Sequence, residues 1–210
     1  MIQFLPHRVD HRAKSFVSIT MAVPPEITIQ ALSGSYTLNR TLSDSSQQVL
    51  KMQSVGFLVR QAVAYSNITI TLHQYKHAIT GLSHLDQYQT STGGIKNFED
   101  RIMDWEWTVK ENWIWGKVKG RSRYVKLAEI EDAWLREGWE DAKGEVVEGW
   151  VEGVKDGWSA WQVWGFAEVD GQRRHVRKIL GRREGWKEQR IRMIYEWKGP
   201  ATEADMPKQA

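Results

Sequence analysis

The spacing of apolar residues changes along the chain. Residues 27–39 and 68–72 alternate between apolar and polar side chains, most regularly in the Ile-Thr-Ile-Thr-Leu stretch at 68–72. Such alternation is typical of a β-strand with one buried face. Between these two segments, residues 47–64 carry apolar side chains at three- and four-residue spacing, interrupted by Gly56. This pattern predicts two short helices or one kinked helix.

Further strands are predicted between short turns in the rest of the chain, at 84–92, 100–109, 112–124, 146–153, 159–169, 172–182 and 188–197. The pair Asp170-Gly171 predicts a type I′ hairpin, because that turn needs positive φ at both central residues. The stretch 127–138 carries apolar residues at helical spacing and ends on a glycine. It predicts a helical insertion among the strands.

These elements indicate an all-β fold. About nine short strands follow one another, and the connections are too short for parallel crossovers, so we expect an antiparallel up-and-down meander. A meander of this length normally closes, because closure removes its exposed edges. We therefore expect a closed antiparallel barrel of about 8–10 strands, with a short helical lid and one helical insertion. Its interior has room for one small ligand.

The length sets the domain organisation. A chain of 210 residues with 41% hydrophobic residues is long enough for one domain with a substantial core. We expect a disordered extension over 1–25, the barrel over 26–198 and a disordered tail over 199–210. Translation begins at Met1 or at Met21. The cytoplasm is the expected location, and the basic, serine-containing leader leaves a mitochondrial presequence as the alternative.

Composition excludes several classes of function. Lys plus Arg number 29 and Asp plus Glu number 26, with the signs interleaved, so we expect no nucleic-acid partner. No run approaches the roughly 18 apolar residues of a membrane span, and we expect no membrane partner. The absence of cysteine excludes disulfides and thiolate catalysis. The spacing of the histidines is not that of a metal site. No nucleophile motif occurs, and we expect no cofactor.

The order of elements resembles the fatty-acid-binding-protein branch of the calycins: LSGSY at 32–36 on the first strand, a helical excursion ending near Gly56, then strands. Segments such as QTSTGGIKNFEDRIMDWEW, KVKGRSRY and AWQVWGF are similar to small fungal lipocalin-like proteins. Fatty-acid-binding proteins hold the ligand carboxylate with an Arg-x-Tyr pair on the last strand. Here Arg192 and Tyr195 are three residues apart, which places them on opposite faces of a strand.

Aromatic residues and a few polar groups are predicted to face the interior and bind a ligand. Twelve tryptophans exceed ordinary usage, and most of them should supply core area. The predicted ligand-binding residues are Trp105, Trp107, Gln162, Trp164, Phe166, Met193 and Tyr195. Gln162, flanked by aromatic residues, is predicted to orient a ligand carbonyl. Core packing and cross-strand hydrogen bonds are the alternative explanations for these side chains.

His175 and Arg177 are the predicted catalytic residues. They share one face of the strand at 172–182. If that face points inward, they give the pocket a proton-exchanging group and a fixed cation that can hold an enolate or carboxylate. The alternative is a solvated basic strand.

Two functions from different classes follow. The first is binding of a small, largely apolar or polycyclic molecule in the barrel interior, which needs no catalytic residue. The alternative, implied by the resemblance to fungal lipocalin-like proteins, is a non-covalent isomerase or cyclase. Such a pericyclase-like enzyme acts on a polyketide or terpenoid intermediate of secondary metabolism, through proximity and hydrogen bonds. A protein-interaction module with exposed tryptophans is a third hypothesis. The sequence leaves open the choice between carrier and catalyst and the oligomeric state.

Overall fold

The computed structural model describes residues 22–202 of the chain, so the disorder predicted for residues 1–21 and 203–210 lies outside the described residues. The strands are β1 (Gly34–Leu38), β2 (Ile68–Lys76), β3 (Ser83–Ser91), β4 (Lys96–Ile102), β5 (Thr108–Asn112), β6 (Gly116–Lys126), β7 (Glu145–Gly153), β8 (Ser159–Val169), β9 (Gln172–Arg182) and β10 (Gln189–Gly199). The helices are α1 (Gln47–Met52), α2 (Phe57–Tyr65), a 3-10 turn (Leu127–Glu129) and α3 (Ala133–Arg136).

The ten strands form one antiparallel sheet in the order β4-β3-β2-β1-β10-β9-β8-β7-β6-β5. Apart from β4 and β5, strands that follow one another along the chain pair with each other. β1 also pairs with β10, so the first and last strands lie side by side in the middle of the sheet. The sheet curls into a half-barrel. The predicted antiparallel meander is therefore confirmed, whereas the backbone ladder does not continue between β4 and β5.

Local turn chemistry explains one correct and one incorrect strand boundary. Asp170 and Gly171 have φ values of 54° and 67°, as the predicted type I′ turn requires. The single strand predicted over 100–109 is wrong, because the chain turns between β4 and β5. Trp105 adopts a φ of 64° there, and the Asp104 carboxylate accepts a hydrogen bond from the Glu106 backbone N–H at 2.9 Å. Such a side-chain to backbone bond favours a turn over a continuing strand.

The sheet carries apolar residues on both faces over β8–β10. On the inner face, a cluster of aromatic and aliphatic side chains packs one half of the interior, including Tyr36, Trp164, Phe166, Tyr195 and Trp197. On the outer face, the segment with the 3-10 turn and α3 packs through residues such as Leu127 and Leu135 against Val163, Val176, Leu180 and Ile194. The predicted helical insertion is thus an outer cover for the sheet, and this is why neither face of β9 is purely polar.

The segment before β1 covers one end of the curled sheet. Val23 is 2% exposed, and its backbone N–H donates to the Arg173 carbonyl at 2.8 Å. The Arg173 guanidinium donates in turn to the carbonyls of Pro24 at 2.8 Å and Ile27 at 3.0 Å. The predicted domain start at residue 26 is therefore too late, because the chain is already packed at Val23.

Helices α1 and α2 cover the opposite end. Arg183 donates to the carbonyl of Met52 at 2.8 Å, and the Trp115 indole donates to the side-chain oxygen of Gln53 at 3.2 Å. Residues 47–52 bury three side chains, whereas α2 buries none. Of the two predicted alternatives, two short helices or one kinked helix, the structure has the two short helices. Within the described range, no helix is long and apolar enough to span a membrane.

Replacing Arg173 with methionine tests how strongly the N-terminal segment is anchored. We expect Arg173→Met to lower the free energy of unfolding by about 2 kcal/mol, because partly buried carbonyls lose charge-assisted hydrogen bonds. Urea denaturation measures the change. Arg182→Met is the matched control, since its ion pair with Glu188 is largely exposed, and we expect it to change stability by less than about 0.5 kcal/mol. Equal effects of the two substitutions would contradict the anchoring role.

Candidate ligand-binding site

A cavity of about 430 Å³ lies beneath the helical end of the sheet, between β4 and the strands β5 to β8. Strand register turns its lining inward: Ser122 pairs with Gly149, and Gly149 pairs with Gln162. The apolar lining consists of Phe98, Ile102, Trp115, Val118, Val151 and Trp158. The polar lining includes Gln53, Glu99, Arg101, Lys110, Ser122 and Gln162. Apolar walls with a few placed polar groups are the ordinary composition of a small-molecule site.

Arg101 is the most buried charge in this lining. It is 8% exposed, donates through Nη1 to the Ser122 hydroxyl at 3.3 Å and forms an ion pair with Glu99. Its Nε atom is buried without a hydrogen-bond partner. Arg101 therefore presents one N–H donor that no group within residues 22–202 satisfies.

Trp158 contributes a second such donor. The side chain is 1% exposed, and the indole N–H is buried without a partner. It fits because residue 153 is glycine, where a Cβ would lie 2.3 Å from the Trp158 Nε1 atom. The neighbouring Trp115 differs, since its N–H is bonded to Gln53. The two tryptophans therefore share the cavity wall but differ in hydrogen-bonding capacity.

Trp164 forms the boundary between the cavity and the packed half of the interior. The Arg101 guanidinium lies 4.7 Å from its ring centre and the Arg177 guanidinium lies 3.7 Å from it. The Trp164 N–H donates to the Gln162 side-chain oxygen at 3.2 Å. Cation–π contacts of this kind are strongest when the cation is desolvated, as both arginines are here.

Arg177 lies behind Trp164, 5% exposed. Its Nη1 donates to the Gln87 side-chain oxygen at 2.5 Å and its Nε donates to His175 Nε2 at 3.3 Å. Burial, partly offset by the Tyr195 hydroxyl, lowers the pKa of Arg177 to about 10. Arg177 therefore remains a cation at neutral pH, and its direct hydrogen-bond partners in the described chain are uncharged.

His175 is fully buried beside Arg177. The centre of its ring lies 5.1 Å from the ring centre of Tyr36, 5.6 Å from that of Tyr195 and 5.8 Å from that of Phe166. Burial lowers the pKa of His175 well below its usual value, and the Arg177 charge lowers it further. The imidazole is consequently neutral at physiological pH and accepts the Arg177 hydrogen bond.

Among the predicted site residues, Gln162 lines the cavity. Trp164, Phe166 and Tyr195 belong to the packed aromatic cluster on the inner face of the sheet. Met193 packs against this cluster. His175 and Arg177 also face inward, so the solvated-strand alternative is wrong. They nevertheless lie outside the cavity lining.

Trp105 and Trp107 are not part of the cavity wall, which corrects the prediction. The Arg121 guanidinium lies 4.1 Å from the Trp105 ring and 4.6 Å from the Trp107 ring, and Trp107 is 40% exposed. The prediction failed because it extended strand alternation through the turn after Ile102, where the direction of each side chain changes.

Sequence reasoning missed Arg101, Ser122 and Trp158 as site residues. Arg101 and Ser122 come together only when β4 approaches β6 across the open edge, and no local pattern reports that approach. The glycine at 153, close to Trp158, was the available signal, since a glycine inside a strand often marks close contact with a large ring.

Acid titration tests the buried neutral His175. Its folded pKa lies below the unfolded value of about 6.5, so below that pH the unfolded chain binds a proton that the folded chain does not. The contribution of this group to the free energy of unfolding is therefore largest above pH 6.5, and we expect it to be lost progressively as the pH falls below that value. Urea denaturation at each pH should show a shallower decline for His175→Phe. His77→Gln, which changes a partly exposed histidine, should keep the full decline.

No family model matches the sequence. Two curated relatives align over most of the chain. The probable pericyclase scpY of Mollisia scopiformis is 29% identical over 185 residues, covering 85% of this chain and 96% of the relative. The pericyclase pydY of an Acremonium species is 29% identical over 186 residues, covering 86% of this chain and 98% of the relative.

Solved structures give the same fold at low sequence identity. Lipid binding protein 8 of Caenorhabditis elegans superposes with a TM-score of 0.53 at 12% identity, over 79% of this chain and 94% of the other. A fatty-acid-binding protein of Manduca sexta gives 0.51 at 16% identity, over 79% and 98%. The fatty-acid-binding protein of Schistosoma mansoni in complex with arachidonic acid superposes with a TM-score of 0.51 at 14% identity, over 81% of this chain and 98% of the other. The chain therefore shares the fold of these lipid-binding proteins, and it is similar in sequence to fungal pericyclases.

Proposed function

We propose that the protein binds one small molecule with a largely apolar skeleton in the cavity beneath the helical lid. The observation that carries this proposal is the cavity itself, of about 430 Å³, walled by tryptophan and valine and furnished with Arg101 and Gln162. Its volume lies in the range of ordinary ligand pockets. A cytoplasmic location, without nucleic-acid or membrane partners, remains part of the proposal.

We further propose that the sheet closes into a barrel around the ligand. Side chains span the open edge where the backbone ladder is missing. Lys110 donates to the Asp100 carbonyl at 2.6 Å, Asn112 donates to the Asn97 side-chain oxygen at 3.0 Å, and the Trp113 indole donates to the Lys96 carbonyl at 3.0 Å. These hydrogen bonds support closure of the barrel through side chains. Such an edge opens more easily than one held by backbone hydrogen bonds between paired strands.

A second candidate function is pericyclic catalysis on the bound molecule. The two curated pericyclases that align with almost their whole lengths favour it. The cavity offers what a reaction without covalent intermediates requires: walls that hold a flexible skeleton in one shape, and N–H donors that polarise a carbonyl. In this proposal Gln162 contacts the substrate, and His175 and Arg177 act as positioning residues through Trp164.

Filling the cavity tests the binding proposal. We expect a neutral solvatochromic dye to bind wild-type protein at one site, and Val151→Trp to weaken that binding at least tenfold, because the larger ring occupies the cavity. Fluorescence titration measures both. Val154→Trp adds the same ring at a position that is 50% exposed and should leave the affinity unchanged. Absence of saturable dye binding to the wild type would end the binding proposal.

Changing Gln162 tests the catalytic proposal. Linear polyene enones would be incubated with the protein, and the loss of their conjugated absorbance compared with the uncatalysed rate. We expect Gln162→Leu to lower kcat by about 10- to 100-fold, because a carbonyl-orienting group acts mainly in the transition state. Dye affinity should change by less than about threefold. If no enone reacts faster with wild-type protein than without it, the catalytic proposal is wrong.

A further inference from the structure

The buried hydrogen-bonding groups left without partners around the cavity are all donors. Within residues 22–202, three side chains of the cavity lining have a buried nitrogen without a hydrogen-bond partner. The Arg121 guanidinium lies against Trp105 and Trp107, outside the cavity wall, so the two donors that can face a ligand are Arg101 Nε and Trp158 Nε1. Each of these nitrogens carries a hydrogen and cannot accept. A buried donor without a partner costs free energy, so a ligand that supplies acceptors is strongly favoured there.

The donors of Arg101 and Trp158 lie at opposite ends of the cavity, because they contact β7 at different positions, Gly149 and Gly153. The Arg101 guanidinium lies 3.3 Å from the Cβ position of Gly149, and the Trp158 N–H nitrogen lies 2.3 Å from that of Gly153. Four residues of an extended strand span about 13 Å. Both oxygens of one carboxylate share a carbon atom, so a single carboxylate is too small to reach both donors.

The two ends also differ in charge. At the inner end, the guanidiniums of Arg101 and Arg177 face the same Trp164 ring, and Glu99 is the carboxylate paired with Arg101. Arg177 bonds to the uncharged side chains of Gln87 and His175, so this end carries an excess positive charge. At the outer end, the donor is the uncharged indole of Trp158. The inner end therefore favours an ionised oxygen and the outer end a neutral carbonyl.

We propose that the ligand is polar at both ends: a delocalised oxyanion at Arg101 and a neutral carbonyl at Trp158, joined by an apolar skeleton. Allowing about 3 Å for each hydrogen bond, the two oxygen functions are about 7 to 13 Å apart. The oxyanion is a carboxylate or the enolate of a 1,3-dicarbonyl group, since both present a shared negative charge on oxygen. This inference rests on the proposed binding function and specifies which molecules it selects.

Three ten-carbon compounds separate the two ends. In 9-oxodecanoate the acid and the ketone are eight bonds apart, roughly 10 Å when extended. Decanoate lacks the ketone and 2-decanone lacks the acid. We expect 9-oxodecanoate to displace the neutral dye with at least tenfold higher affinity than either. A 2-acyl-1,3-cyclohexanedione with the same ketone arm distinguishes the enolate source from the carboxylate source; tighter binding of either compound than its ketone-free analogue supports the proposal.

Two substitutions assign each end to its donor. Trp158→Phe removes the N–H while keeping a ring and should abolish the advantage of 9-oxodecanoate over decanoate. Trp115→Phe is its matched control, because that N–H is already bonded to Gln53, and it should affect both acids alike. Arg101→Met should abolish the advantage over 2-decanone, whereas Lys110→Met, whose partner is Asp100, should not. Retained dye binding shows that each variant is folded. If Arg101→Met does not fold, Arg101→Lys takes its place in the comparison.

The outcomes distinguish this inference from the function on which it rests. Dye binding combined with no gain in affinity from the ketone, in either the carboxylate pair or the dione pair, would overturn the two-ended ligand and leave the pocket intact. An advantage that survives Trp158→Phe would also overturn it. Failure of the dye to bind wild-type protein would instead remove the binding function itself.

Discussion

The stacking of Trp164 between two buried arginines is the contact on which the interior depends. Arg101 comes from β4, Trp164 from β8 and Arg177 from β9, so one contact joins strands from both halves of the curled sheet. It also divides the interior. On one side the aromatic core is fully packed, and on the other the cavity begins. Removing the ring would leave two desolvated cations without their shared partner.

The placement of charge explains how a polar interior is tolerated. His175 stays neutral because burial and the adjacent cation both oppose its protonation, and it can then accept a hydrogen bond from Arg177. Gln87 satisfies a second N–H of the same guanidinium. Arg101, in contrast, forms an ion pair with the Glu99 carboxylate, which neutralises its charge directly. A polar network of this kind fixes the shape of the site, because each member is costly to displace.

The open edge between β4 and β5 is the other determinant of the site. The turn at Trp105 interrupts the meander, and the two edge strands meet through Lys110, Asn112 and Trp113 rather than through backbone hydrogen bonds. The cavity lies directly inside this edge, with Arg101 and Ser122 joined across it. The shape of the cavity therefore depends on a few side-chain contacts at this edge.

The sequence by itself determined the order of elements, the two lid helices, the hairpin at Asp170-Gly171 and the inward position of Gln162, because periodicity and turn chemistry are local properties. The tertiary structure decided which inward residues meet the cavity. Register across several strands set His175 and Arg177 behind Trp164, and the turn after Ile102 sent Trp105 to the outer face. Contacts such as Arg101 with Ser122 join strands that do not pair, and alternation along one strand carries no information about them.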